Sequence, residues 1–182
     1  MRQRTYFITL GIIVVGISTA LLVGARFDAA WAGGTGYEPQ QNATVCHGDV
    51  CTSAKRGEII STFTPEEAAN VTFGDVTIHA DPRTEIKLID GRAGHIAIDV
   101  IQGHILATGI FTIQTRNLRT AVDSGIAFTH YSWENKIEAV STSGHLDLSA
   151  TDGSPMGIAG AGAPDGWRCE TLAPYACEEI KP

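Results

Sequence analysis

Positive charge is scarce in this sequence beyond its first few positions. From Gly33 onward ten Lys and Arg face nineteen Asp and Glu, a formal charge of −9. A nucleic-acid partner needs a basic face, and so does adhesion to anionic lipid headgroups, so the composition argues against both. No Gly-rich phosphate loop or dinucleotide fingerprint precedes a helical pattern anywhere. Cys-x-x-Cys-His is missing, which rules out covalent haem. The Gly-x-Ser-x-Gly elbow is missing too. Ser124 sits in Val122-Asp123-Ser124-Gly125-Ile126 with no helix pattern after it, and reads as a turn serine. His130 would meet it only by accident of folding. With no nucleophile, base and orienting group in view, the chain is expected not to be an enzyme and to carry no cofactor.

One stretch lacks charge altogether. From Tyr6 to Ala25 the chain reads YFITLGIIVVGISTALLVGA, 20 residues long. At about 1.5 Å of helical rise per residue it spans about 30 Å, the thickness of a bilayer's hydrocarbon core. Arg2, Arg4 and the terminal amine precede it, whereas Arg26 and Asp28 after it offset each other. The positive-inside bias therefore keeps residues 1–5 cytoplasmic and sends everything after the helix across. A cleaved signal peptide is the competing reading, because Ala30-Trp31-Ala32 has the small-x-small pattern. The apolar run is longer than a signal peptide's usual core, and Arg26 with Asp28 intrude before the cleavage point. The expectation is a single-pass signal-anchor with the C-terminal domain outside the cytoplasm.

The cysteines number only four: Cys46, Cys51, Cys169 and Cys177. Four allow three pairings, and the simplest is local, Cys46 with Cys51 and Cys169 with Cys177. Cys-x4-Cys and Cys-x7-Cys are poor zinc spacings, and an oxidising compartment favours disulfides.

Low charge and twenty glycines suit short strands with many turns. Residues 26–56 read as a polar spacer holding Cys46 and Cys51 in a tight turn. Thr64-Pro65-Glu66-Glu67 is a helix-start signature, with Thr64 as cap, Pro65 at the first helical position and Glu67 completing a capping box. It predicts one short helix ending near Asn70. Short alternating runs follow at 71–78, 84–89, 95–100, 104–107, 111–115, 118–122, 126–131, 136–140 and 145–148. About nine short strands without crossover helices predict an all-β domain over 57–150, a twisted β-solenoid-like coil, a roll or a sandwich. Ile96, Ile98, Val100, Phe111, Ile113 and Phe128 take the inward positions. Residues 151–182 read as a Gly/Pro linker followed by a tail stapled by Cys169 and Cys177.

Gly94-His95-Ile96, Gly103-His104-Ile105 and Gly144-His145-Leu146 rhyme, each opening a strand. Three histidines at equivalent places invite a metal reading, but no carboxylate–histidine spacing accompanies them, so no metal is expected. Trp133, beside Tyr131, is either core or an exposed contact.

The segment 74–150 resembles the FecR family of bacterial envelope proteins. The carrying residues are Asp81-Pro82-Arg83-Thr84-Glu85-Ile86-Lys87-Leu88, the strand 96–100 and the step Gln102-Gly103-His104-Ile105. Then come Phe111-Thr112-Ile113-Gln114-Thr115, the run 119–122, Ser124-Gly125-Ile126-Ala127-Phe128 and Ile137-Glu138-Ala139-Val140, closed by Gly144-His145-Leu146-Asp147-Leu148. The resemblance implies a twisted β domain on the outer side of a single-pass inner-membrane protein. FecR proteins relay a signal from an outer-membrane receptor to a cytoplasmic sigma factor. The five residues ahead of the apolar run are too few for a sigma-binding segment, so the β module is expected here and sigma control is not. The expected role is a non-catalytic binding, scaffold or signalling module, with an envelope protein or glycan as partner. The alternative is an envelope lipid-transport jelly roll resembling the lipopolysaccharide-export proteins, which requires a continuous apolar groove.

Overall fold

The computed structural model describes residues 40–64, 67–160 and 165–180. The expected anchor from Tyr6 to Ala25 lies outside them. Among the described residues there is no helix long and apolar enough to cross a membrane.

The described chain is all-β, with fifteen strands and no helix. They form two sheets that share one strand, β7 (Ala97–Thr108). The first sheet runs β2 (Val50–Ala54), β1 (Ala43–His47), β4 (Ala69–Phe73) and β5 (Val76–Ala80) to the second half of β7. It continues through β10 (Gly125–Tyr131), β11 (Lys136–Ser143), β14 (Gly166–Glu170) and β15 (Cys177–Ile180). The second sheet runs β3 (Ile59–Ser61), β6 (Glu85–Asp90), the first half of β7, β8 (Phe111–Thr115), β9 (Leu118–Val122), β12 (His145–Ala150) and β13 (Pro155–Gly160). All these pairings are antiparallel except β7 with β8, where Ala97 lies opposite Thr112. Between those two residues the chain crosses to the first sheet and returns.

The alternation of apolar residues dictates which face is buried. In β5 Val76, Ile78 and Ala80 are inside, in β8 Phe111 and Ile113, and in β10 Ile126 and Phe128. Inward residues of both sheets form one buried cluster that contains Ile96, Ile98, Val100, Phe111, Ile113 and Phe128.

In β7 Ile98 and Val100 point inward, and so do Ile105 and Ala107. Even positions give way to odd ones, so the period of two must break between them. Glu85 pairs with Gln102 and Ile86 with Val100, which leaves Ile101 as the additional residue of a bulge. Gly103, two residues on, has φ +95°. The runs 95–100 and 104–107 are therefore two arms of one strand, bent where it passes between sheets.

Several expectations are corrected. The described residues form no helix at Thr64–Asn70: Glu67 N donates to Thr64 O at 3.3 Å, and Ala69 and Asn70 already belong to β4. Pro65 and Glu66 lie outside the described residues. A capping signature specifies how a turn starts, and the inward Val71 and Phe73 then draw the chain into the sheet instead. The run 71–78 is a hairpin, β4–β5, turning at Gly74 and Asp75. The spacer reading of 26–56 fails from Ala43 on, because Ala43 and Val45 are core residues of β1. The linker reading of 151–166 fails as well, since 155–160 is β13 and Ala159 is buried. At Gly157, Gly160 and Gly166 other groups need the space that a side chain would take. A Cβ on Gly157 would lie 2.6 Å from the Trp167 ring.

Candidate binding site

Where β7 bends, three connecting segments converge on the outer face of the first sheet. They are the corner Asp81-Pro82-Arg83-Thr84 between β5 and β6, the bend at Gln102-Gly103-His104, and the β10–β11 turn that carries Trp133. Between them lies an open cleft of about 520 Å³.

Its floor is fixed by two fully buried threonines, Thr62 and Thr84. Thr62 Oγ1 donates to Asp81 O at 2.6 Å and accepts from Thr84 N at 2.8 Å. Thr84 Oγ1 donates to His104 O at 3.0 Å and accepts from His104 N at 3.1 Å. Asp81 N also donates to His104 O, at 3.1 Å. A hydroxyl both gives and takes a proton, so two threonines satisfy backbone groups of Asp81, Thr84 and His104 where the corner meets the bend. Gly103 is required at the contact, since a Cβ there would lie 2.5 Å from Thr84 Oγ1 and 2.6 Å from its Cα.

On this base His104 Nδ1 meets Asp81 Oδ2 at 2.6 Å. The other carboxylate oxygen of Asp81 lies 3.5 Å from His79 Nε2, and His79 Nδ1 is 2.9 Å from Asn70 Oδ1. Facing them, Tyr131 and Trp133 contact edge-to-face, with ring centroids 6.3 Å apart at 76°. Tyr131 Oη donates to Glu138 Oε2 at 3.3 Å. Burial, reinforced by the Glu138 carboxylate, pushes this phenol above its usual range, so it stays protonated. Trp133 is 74% exposed, the most open tryptophan of the described chain. Ser132 Oγ reaches Gln102 Oε1 at 3.5 Å, the outer limit of a hydrogen bond.

From His104 the outward row continues strand by strand through Thr129, Glu138, Arg168 and Glu178. Arg168 Nε donates to Glu138 Oε1 at 2.6 Å and its Nη1 to Glu178 Oε1 at 3.0 Å. This row ties β11, β14 and β15 together beside the Cys169–Cys177 bond.

The four cysteines form two bonds, Cys46–Cys51 and Cys169–Cys177, each joining directly opposed residues of an edge hairpin, β1–β2 and β14–β15. His95, His104 and His145 are not brought together. His95 is in the turn before β7, His104 in the cleft, and His145 at the β11–β12 corner, where its N–H donates to Asp123 Oδ1 at 2.5 Å. Among the described residues no three His, Cys, Asp or Glu side chains are placed to hold a metal ion. Ser124 Oγ is 2.9 Å from Ser143 Oγ, at the opposite end of β10 from His130. His130 faces inward, its Nδ1–H donating to Val100 O at 2.8 Å, while its Nε2 is buried without a partner. Burial holds this imidazole below its usual range.

Sequence reading passed over Asp81 as a site residue, and over Thr62 and Thr84. His79 and Asp81, two apart, were a weak local signal. His104 joins them from 23 residues away, which only strand register specifies.

No family model and no curated protein matches the sequence. Two crystal structures of a candidate anti-sigma factor from Parabacteroides distasonis do match, each with a TM-score of 0.53 at 12% sequence identity. The match covers 68% of this chain, and the chain spans 60% of that protein's length. At this identity the likeness is one of fold.

Proposed function

We propose that this chain is a membrane-anchored FecR-like module of the bacterial envelope, acting outside the cytoplasm by binding and signalling, without catalysis. The observation that carries the reading is its fold, shared with a protein described as a candidate anti-sigma factor. The segments that resemble FecR proteins support it by falling on the seams of that fold. Residues 81–88 make the β5–β6 corner and β6, residues 96–105 the two arms of β7, and residues 144–148 the entry to β12. The uncharged run from Tyr6 to Ala25 supplies the anchor, and two disulfides suit an oxidising compartment. The lipid-transport alternative needs a continuous groove between sheets. Ile96, Ile98, Phe111, Ile113 and Phe128 instead belong to one buried cluster.

The test places a photo-crosslinking amino acid at exposed Phe63 or Leu106 of the full-length chain, expressed in its source cells. A discrete crosslinked envelope protein is the expected product. Stoichiometric acyl lipid co-purifying with the chain, and no protein adduct, overturns the reading in favour of lipid transport.

A further inference from the structure

The cleft beside the β7 bend has a chemistry more specific than a general protein-docking face. One wall offers a single, largely open indole, Trp133, steadied edge-on by Tyr131. The other offers a carboxylate, a carboxamide and an imidazole within one short stretch of surface, at Asp81, Gln102 and His104. Its volume of about 520 Å³ lies within the range of small-ligand sites. The domain's charge of −9 disfavours anionic ligands such as nucleotides and phosphorylated lipids, and Arg83 is the one arginine in the cleft's lining. A cation would be better served by a cage of several aromatic rings around unpaired carboxylates. Here the Asp81 carboxylate is engaged by His104 at 2.6 Å. The lining best suits a neutral molecule with a flat apolar face and a rim of hydroxyls. Pyranose rings have that character: their C–H faces stack on indole, while hydroxyls both donate to carboxylates and accept from N–H groups.

We infer that this cleft binds a neutral oligosaccharide of the envelope, one sugar ring stacked on Trp133 and its hydroxyls held by Asp81, Gln102 and His104. The inference rests on the binding-module reading above and names the ligand class. Positioning is built into the fold, because Thr84 fixes the backbone of His104 and Thr62 that of Asp81. Rigid first contacts lower the ordering cost of binding a weakly held sugar.

The test is calorimetric titration of the full-length chain in detergent with a tetramer of β-linked N-acetylglucosamine. Parallel titrations use a glucose tetramer and tetramethylammonium. Saturable binding of at least one tetramer is expected, weakened at least roughly tenfold by Trp133→Ala and retained to within about fivefold by Trp133→Phe. Gln102→Ala should weaken it at least about threefold. Ile110→Ala, in the β7–β8 connection and about as exposed, should leave affinity unchanged. Trp133 is exposed enough that its removal should not disturb folding, which circular dichroism checks directly. Absence of heat from either tetramer at about 10 mM overturns the inference. Equal affinity in Trp133→Ala, or tighter binding of tetramethylammonium than of sugar, does the same. If the sugars fail while Phe63 still crosslinks to an envelope protein, the ligand class falls and the binding-module reading stands.

Discussion

Phe128 and Gln114 lie on opposite sides of the same fold. The ring of Phe128 is completely buried at the centre of the shared core, whereas Gln114 points outward from β8 toward solvent. Truncating a buried Phe removes its transfer free energy and leaves a cavity, so Phe128→Ala should cost about 3–5 kcal/mol. Gln114→Ala should cost under about 0.5 kcal/mol. Equal losses in urea melts of the two variants would refute the assigned faces. His130 gives a pH signature at the same scale. Burial lowers its folded pKa, so the unfolded chain binds a proton that the folded chain refuses as pH drops below about 6.5. Stability is complete above that pH and declines below it. Urea melts at pH 7.5 and 5.5 should show a loss for the native chain and a smaller loss for His130→Leu. An unchanged difference in the variant would assign the titration to another group.

At the scale of elements, the three Gly-His pairs look alike in sequence and do different work. All three glycines have positive φ: Gly94 +72°, Gly103 +95° and Gly144 +73°. A side chain on Gly94 would meet open space, so Gly94→Ala should cost only the left-handed strain of about 1–2 kcal/mol. On Gly103 it would strike the Thr84 backbone, so Gly103→Ala should cost about 1–3 kcal/mol more. Melts of the two variants decide this, and equal costs would show that the β7 bend is not held against Thr84. The edge hairpins make a separate prediction. Cys46–Cys51 and Cys169–Cys177 close loops of five and eight residues, each contributing about 2 kcal/mol by restricting the unfolded chain. Thiol labelling of unreduced, unfolded protein should therefore detect no free cysteine. Labelling at four sites would overturn both bonds.

For the whole molecule the proposed anchor sets the measurement. Expressed in bacteria, the full-length chain should remain in the membrane fraction after an alkaline wash. A soluble form beginning at Gly33 would instead establish cleavage after Ala32. The sequence by itself determined the all-β class, because period-two runs divided by Gly, Asp and Asn suit neither helices nor crossovers. It also determined the inward side of the runs 96–100, 111–115 and 126–131, since a pleated ribbon puts alternate residues on opposite faces whatever its neighbours are. Local cysteine pairing was the simplest of three possibilities in the sequence, and the registers of the β1–β2 and β14–β15 hairpins select it. Other features came only with the tertiary structure. The strands at 50–54 and 155–160 were hidden because β2 and β13 are edges, whose composition is polar or Gly-rich and carries little alternation. The identity of β7 as one strand was hidden because a bulge at Ile101 breaks the period that would have revealed it. The helix signal at Thr64 was local, and the demand of Val71 and Phe73 for the core overrode it. The cleft was the least legible part. Asp81, His104 and Trp133 come from three separate connections, and they meet only because strand register across β5, β7 and β10 places those connections side by side.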